Sequence, residues 1–168
     1  MVKHETYLLL GSNLGDRVAE LDKARILIEE NIGSVRQQSE IYETDPWGNK
    51  EQPCFLNQVL VVQTNQDPQA LLNTILSIEK LMGRFRTDKF GPRIIDIDIL
   101  FYDELVIQSD TLCIPHPLLH ERRFTLLPLQ EINPLKKHPL FNQTIEALLL
   151  KCSDRLNVEK FTPVFHNH

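Results

Sequence analysis

No stretch of the 168 residues approaches the roughly 20 consecutive apolar side chains of a membrane helix, and the opening MVKHETYLLLGSN lacks a long apolar segment with a small-residue cleavage site. A cytoplasmic location is therefore expected. Cysteine is scarce. Cys54, Cys113 and Cys152 are odd in number and form neither a CxxC pair nor a Cys/His cluster, so free thiols are expected rather than a disulfide framework or structural zinc. Positive charge is also short, with 18 Lys and Arg against 23 Asp and Glu. The net charge of -5 speaks against nucleic acid or an anionic membrane as partner and leaves anion binding to a local basic patch. Repeats and low-complexity tracts are absent. So are the GK[ST] ending of a P-loop, the GxGxxG spacing of a dinucleotide site and the HRD and DFG sets of protein kinases.

What is present is enough apolar sequence, 42%, for one substantial core, and a length that suits a single domain spanning 1–168. Thr6 to Leu10 reads as a buried strand that ends in the turn Gly11-Ser12-Asn13-Leu14-Gly15. Asp16 can cap a helix carrying Val18, Leu21, Ala24, Ile28 and Ile32, and Gly33 stops it. A polar strand over Val35–Glu43, a loop over Thr44–Pro53 and an apolar strand over Phe55–Thr64 follow. Asp67-Pro68 opens a second helix whose Leu71, Ile75, Ile78 and Met82 share one face, with Gly83 at its end. Ile94–Tyr102 is a strong strand, with Asp103-Glu104 expected to turn it into a hairpin with Leu105–Ile107. Five prolines from Pro115 to Pro139 divide the remainder into short pieces, the last a helix over Thr144–Cys152 capped by Asn142; residues 153–168 are expected to form an irregular tail. The order corresponds to an α+β sandwich with a β-α-β-β-α-β core and both helices on one face.

The sharpest local signal is Ile95-Asp96-Ile97-Asp98-Ile99. A strand's period of two puts both carboxylates on one face about 7 Å apart and the isoleucines on the other. The pattern suits a solvated strand face as well as a cation site; a cation would relieve the repulsion of two neighbouring carboxylates, and magnesium suits hard oxygen ligands with phosphate and water completing the shell. Arg84, Arg86, Lys89 and Arg93 lie just before this strand, opposed only by Asp88. A solvated basic loop and a polyphosphate clamp are the two readings of that run, and the adjacent acidic pair favours the clamp. Asn57 interrupts an apolar strand two residues after Phe55 on the same face, where an unpartnered amide costs ~1 to 3 kcal/mol and a stacked planar heterocycle would supply partners. Gly11–Gly15 alone reads as a tight turn.

Taken together, Tyr42–Gly48 (YETDPWG), Gln52–Asn57 (QPCFLN), Gly83–Arg86 (GRFR), Gly91–Leu100 (GPRIIDIDIL) and Ile114–Pro117 (IPHP) resemble the 6-hydroxymethyl-7,8-dihydropterin pyrophosphokinases of folate biosynthesis, from Gly11 to about Pro134. The resemblance implies a ferredoxin-like fold and transfer of pyrophosphate from ATP to the pterin hydroxymethyl group, releasing AMP, with two Mg²⁺ ions. By position it implies Asp96 and Asp98 as metal ligands, and Arg84, Arg86, Arg93, His116 and Arg122 at the triphosphate. Phe55 and Phe124 would sandwich the pterin and Thr44 and Asn57 contact its edge. Glu79 would stand beside the nucleotide, and the backbone at Ile99 and Cys113 would meet adenine. Thr87, Phe90 and Leu76 depart from the family's commoner residues and imply an altered nucleotide affinity with the same reaction.

ATP and the dihydropterin are the expected partners, and a monomer is expected. His116, at an ordinary pKa of ~6.5, has the chemistry of a general acid or base, although a hydrogen bond to phosphate is the preferred role. The loop from Arg84 to Arg93 is expected to close over the nucleotide. A non-catalytic ligand-binding domain and an ordinary kinase or nucleotide hydrolase are the competing readings.

Overall fold

The computed structural model describes residues 2–46, 51–83 and 93–163. The chain runs β1 (His4–Ser12), α1 (Arg17–Asn31), β2 (Gly33–Gln38), β3 (Ile41–Thr44), β4 (Phe55–Thr64), α2 (Pro68–Leu81) and β5 (Asp96–Tyr102). There follow β6 (Ile107–Gln108), β7 (Cys113–Ile114), α3 (Arg123–Ile132), α4 (Ile145–Lys151) and β8 (Val158–Phe161). The main sheet has the order β5-β1-β4-β3-β8, with β2 pairing the far half of β4, and its pairings are antiparallel. This is the expected β-α-β-β-α-β core, a ferredoxin-like α+β sandwich.

Local chemistry explains the element ends. Asp16 accepts the Ala19 N–H at 3.1 Å and Asp67 the Ala70 N–H at 2.8 Å, each satisfying an otherwise orphaned donor at a helix start. Pro68 occupies the first turn of α2, where its missing N–H costs nothing. The alternation of β1, β4 and β5 splits the core in two. Leu8, Leu10, Leu60 and Ile99 pack with Leu21 and Ile28 of α1 and Leu71 and Ile75 of α2. Tyr7, Leu9, Val59 and Phe101 pack with Leu126 and Leu129 of α3 and Leu148 of α4. Both expected helices thus share one face, and a second helical layer covers the other.

The structure corrects the sequence reading at several elements. The single strand 35–43 is two, interrupted where Ser39 bonds Val59 through both its amide and its hydroxyl and Glu40 donates its N–H to Glu131. Asp103 takes a left-handed φ of 46°, and β6 pairs with β7 rather than returning along β5. Pro128 lies inside α3 instead of ending it; it is buried, and the burial of its neighbours Leu126 and Leu129 against the sheet outweighs the lost bond. Thr144 caps α4 by accepting the Ala147 N–H, while Asn142 has a φ of 54° in the turn before it. The tail is not wholly irregular, because β8 extends the sheet beside β3.

Candidate active site

A cavity of about 500 Å³ wraps around β5, the outermost strand on its side of the sheet. Its walls follow strand register. Asp96 stands opposite Gly11, and Gly11 opposite Asn57, so these three form one row across β5, β1 and β4. Two strand spacings separate the ends of that row, about 10 Å.

Asp96 and Asp98 point to the cavity with partly exposed side chains, and Ile97 and Ile99 are buried on the opposite face, as the alternation requires. The Arg93 guanidinium donates to Asp96 Oδ2 at 3.1 Å. His116 Nε2 lies 3.9 Å from Asp98 Oδ2. His116 Nδ1 accepts the Leu118 N–H at 3.1 Å, so the proton of the neutral ring belongs on Nε2, facing Asp98. Burial, reinforced by the Arg122 charge and opposed by Asp96, pushes the His116 pKa down to about 4. Near neutral pH His116 is therefore a donor without a free lone pair. Its use as a general base at an unshifted pKa, open from the sequence, does not fit this arrangement. Burial also lowers the Arg122 pKa from its usual value while Asp98 and Asp96 oppose the shift; the group stays cationic and lies over the Phe124 ring at 5.4 Å.

Beyond the charged centre, away from β5, Phe55, Asn57, Thr44 and Phe124 line the cavity. Thr44 is 2% and Asn57 4% exposed, yet Thr44 Oγ1 and Asn57 Oδ1 have no hydrogen-bond partner among the described residues. A buried polar atom left this way costs ~1 to 3 kcal/mol unless something supplies its partner. On the other side of β5, Leu72, Ile75 and Leu76 of α2 face Ile99, Leu112 and Cys113 across an apolar slot. Glu79, buried at the inner wall, accepts the Ile97 N–H at 2.9 Å and so ties α2 to the strand that carries the carboxylates.

The structure thus brings together Thr44, Phe55, Asn57, Glu79, Arg93, Asp96, Asp98, Ile99, Cys113, His116, Arg122 and Phe124. Arg84 and Arg86, with Thr87, Phe90 and the expected lid, lie outside the described residues. Asp45, which carries no signal in the sequence, also lines the cavity, as does Gly11, which the sequence presents only as part of a tight turn. Gly11 offers a sequence signal only in retrospect, as a residue without a side chain facing an interrupted apolar strand. The two carboxylates supply hard oxygen donors, and no group of three or more His, Cys, Asp or Glu among the described residues could hold a metal. That incomplete set fits a magnesium ion that arrives with phosphate and water as its remaining ligands.

An acidic pair beside half-buried cations, with an aromatic slot on one side and an apolar slot on the other, defines a phosphoryl-transfer enzyme of ferredoxin-like fold. Residues 7–134 match the family model described as 7,8-dihydro-6-hydroxymethylpterin-pyrophosphokinase. The chain is 44% identical over 140 residues to a 2-amino-4-hydroxy-6-hydroxymethyldihydropteridine pyrophosphokinase of Aquifex aeolicus, spanning 83% of this chain and 87% of that one. It is 41% identical over 146 residues to the folic acid synthesis protein fol1 of Schizosaccharomyces pombe, 86% of this chain but 20% of that longer protein. A solved Plasmodium falciparum HPPK-DHPS structure with pterin and p-hydroxybenzoate superposes with a TM-score of 0.74 at 22% identity, covering 90% of this chain and 42% of that chain, a likeness of fold.

The chain belongs to the 7,8-dihydro-6-hydroxymethylpterin-pyrophosphokinase family. The reaction of that family is the transfer of pyrophosphate from ATP to the hydroxymethyl group of the dihydropterin in folate biosynthesis.

Proposed function

We propose that the two halves of this cavity hold the two substrates of that reaction, with the dihydropterin between Phe55 and Phe124 and ATP along β5. The observation that carries the assignment is the pair of buried, unpartnered oxygens, Thr44 Oγ1 and Asn57 Oδ1, beside those aromatic rings. A pterin presents ring N–H and amino donors at one edge, matching both oxygens. A ring anchored at Asn57 extends over Gly11, which has no side chain to obstruct it, towards Asp96. Its hydroxymethyl group then meets the charged centre.

Asp96 and Asp98 would hold Mg²⁺, expected as two ions with the nucleotide. When bound there, magnesium would supply neutralisation of phosphate charge and activation of the hydroxyl. Arg93 and Arg122 offset the charge that develops on the transferred group, and His116 donates its Nε2–H to a phosphate oxygen. Arg84 and Arg86 complete the clamp by position in the sequence. Phe55 and Phe124 keep water from the attacking oxygen. Adenine takes the apolar slot at Ile99 and Cys113 beside Glu79, and Leu76 at its rim supplies apolar cover.

The enzyme works as a cytoplasmic monomer. Three free cysteines accord with a reducing compartment.

Incubation with ATP, Mg²⁺ and 6-hydroxymethyl-7,8-dihydropterin tests the proposal. AMP with pterin pyrophosphate is the expected product pair. ADP would make the protein an ordinary kinase, and binding without turnover a ligand-binding domain.

A further inference from the structure

The turn after β1 contains a side chain that touches neither half of the cavity and holds both. Asn13 is 1% exposed. Its Nδ2 donates to Gln52 Oε1 at 3.0 Å and to the Pro53 carbonyl at 3.1 Å, just ahead of Phe55. Its Oδ1 accepts the Arg93 N–H at 2.7 Å, and its own N–H donates to the Arg93 carbonyl at 3.0 Å. Both side-chain donors and the side-chain acceptor are therefore used, and Arg93 is gripped by both backbone groups as a strand neighbour would be. Arg17, the first residue of α1, adds a bond to the next carbonyl, Cys54 O, at 2.9 Å.

We infer that Asn13 is a positioning residue for the transfer, setting the separation between the segment leading to Phe55 and the backbone of Arg93. The inference rests on the proposed placement of the pterin at Phe55 and of phosphate at Arg93. Ser is too short to reach both segments, and Gln is one methylene too long to keep the spacing. Asp retains an acceptor for the Arg93 N–H but turns a charged oxygen towards the Pro53 carbonyl, which needs a donor. The consequence is kinetic. Each half-site keeps its own side chains when Asn13 is replaced, so each substrate still binds, but the attacking hydroxyl and the phosphate lose their fixed distance. Misplacement on the order of 1 Å costs about a hundredfold in rate.

The test is steady-state AMP formation by wild type, Asn13→Ala and Asn13→Asp, with thermal unfolding measured on the same preparations. The expected result is a kcat lowered by about tenfold to a hundredfold, with KM for ATP and for the pterin each within about threefold of wild type. Asn13→Asp, which keeps the Arg93 contact and similar size, decides the matter if Asn13→Ala does not fold. A folded variant with kcat within about twofold of wild type overturns the inference, even if its melting temperature has dropped, because Asn13 is then only a brace for the turn. A rise in KM for one substrate with kcat held also overturns it, by assigning Asn13 to one half-site alone. Wild-type protein that makes no AMP would overturn the proposed function and this inference together, an outcome recognisable before any variant is compared.

Discussion

Gly11 and Asn57 face each other across the β1–β4 ladder so closely that a Cβ added to Gly11 would stand 2.7 Å from Asn57 Nδ2 and 3.8 Å from the Phe55 ring. The first distance is below any ordinary contact, so the amide, which donates to the Leu10 carbonyl at 3.3 Å, keeps its position because residue 11 has no side chain.

Gly11→Ala should therefore displace the Asn57 amide and weaken pterin binding by ~1 to 3 kcal/mol, the cost of an unmade buried hydrogen bond. ATP affinity should change little, since Asp98, Arg122 and the apolar slot are untouched. Calorimetric titration with each ligand separates the two effects. Equal losses for both ligands would show that the sheet, not the amide, had been disturbed.

If the proposed metal site is right, Asp96→Asn and Asp98→Asn should each reduce AMP formation at least about a hundredfold by removing a charged ligand from it, with pterin affinity largely retained. Asp96→Asn also takes the carboxylate from Arg93, its partner at 3.1 Å, so it should perturb nucleotide binding more than Asp98→Asn does. Near-wild-type turnover by both variants would remove the metal assignment.

How much of this was legible depended on the range of the interaction. The Asp96/Asp98 alternation, the bounds of β4 and the Asp67 cap follow from spacing within a few residues, and the sequence reading matched them. Pro128 concealed α3 because the burial of Leu126 and Leu129 in one cluster with Val59 and Val61 overrides a local helix breaker, and that override is not local information. Polar Val158–Phe161 shows no strand period; it is a strand because β3 offers it an edge and Arg17 lies 5.5 Å over Phe161. Asn13 read as an ordinary turn residue because its partners stand 39, 40 and 80 positions away.

His138 provides a stability prediction with a sign. It is 2% exposed, its Nδ1 accepts the Leu140 and Phe141 N–H groups at 3.2 Å, and it stacks on Phe141 with ring centroids 4.2 Å apart. Burial, with His120 adding to it, pushes its pKa down to about 4. The unfolded chain titrates near ~6.5 and so binds the proton more readily than the folded protein. The stabilisation is present in full above pH ~6.5 and is lost as pH falls from there to about 4, at most about 3 kcal/mol. His138→Gln should flatten the fall of unfolding free energy between pH 7 and pH 4 relative to wild type. An unchanged slope would mean His138 titrates normally in the folded state.

The two aromatic walls of the proposed pterin slot should respond differently to the same change. Phe55 meets the proposed ring alone, whereas Phe124 also supports the Arg122 guanidinium, 5.4 Å from its ring centre. Leucine at either position keeps apolar bulk and removes the flat face. Phe55→Leu should therefore weaken pterin binding by about 0.5 to 1.5 kcal/mol and leave the nucleotide alone. Phe124→Leu should weaken the pterin similarly and also loosen Arg122, whose cation–π contact contributes ~0.5 to 2 kcal/mol, so that affinity for a non-hydrolysable Mg²⁺-ATP analogue falls as well. Isothermal titration of both variants with both ligands gives four numbers, of which three should move. If the nucleotide affinity of Phe124→Leu stays at the wild-type value, Arg122 is held by Asp98 and Asp96 without help from the ring, and Phe124 belongs to the pterin alone.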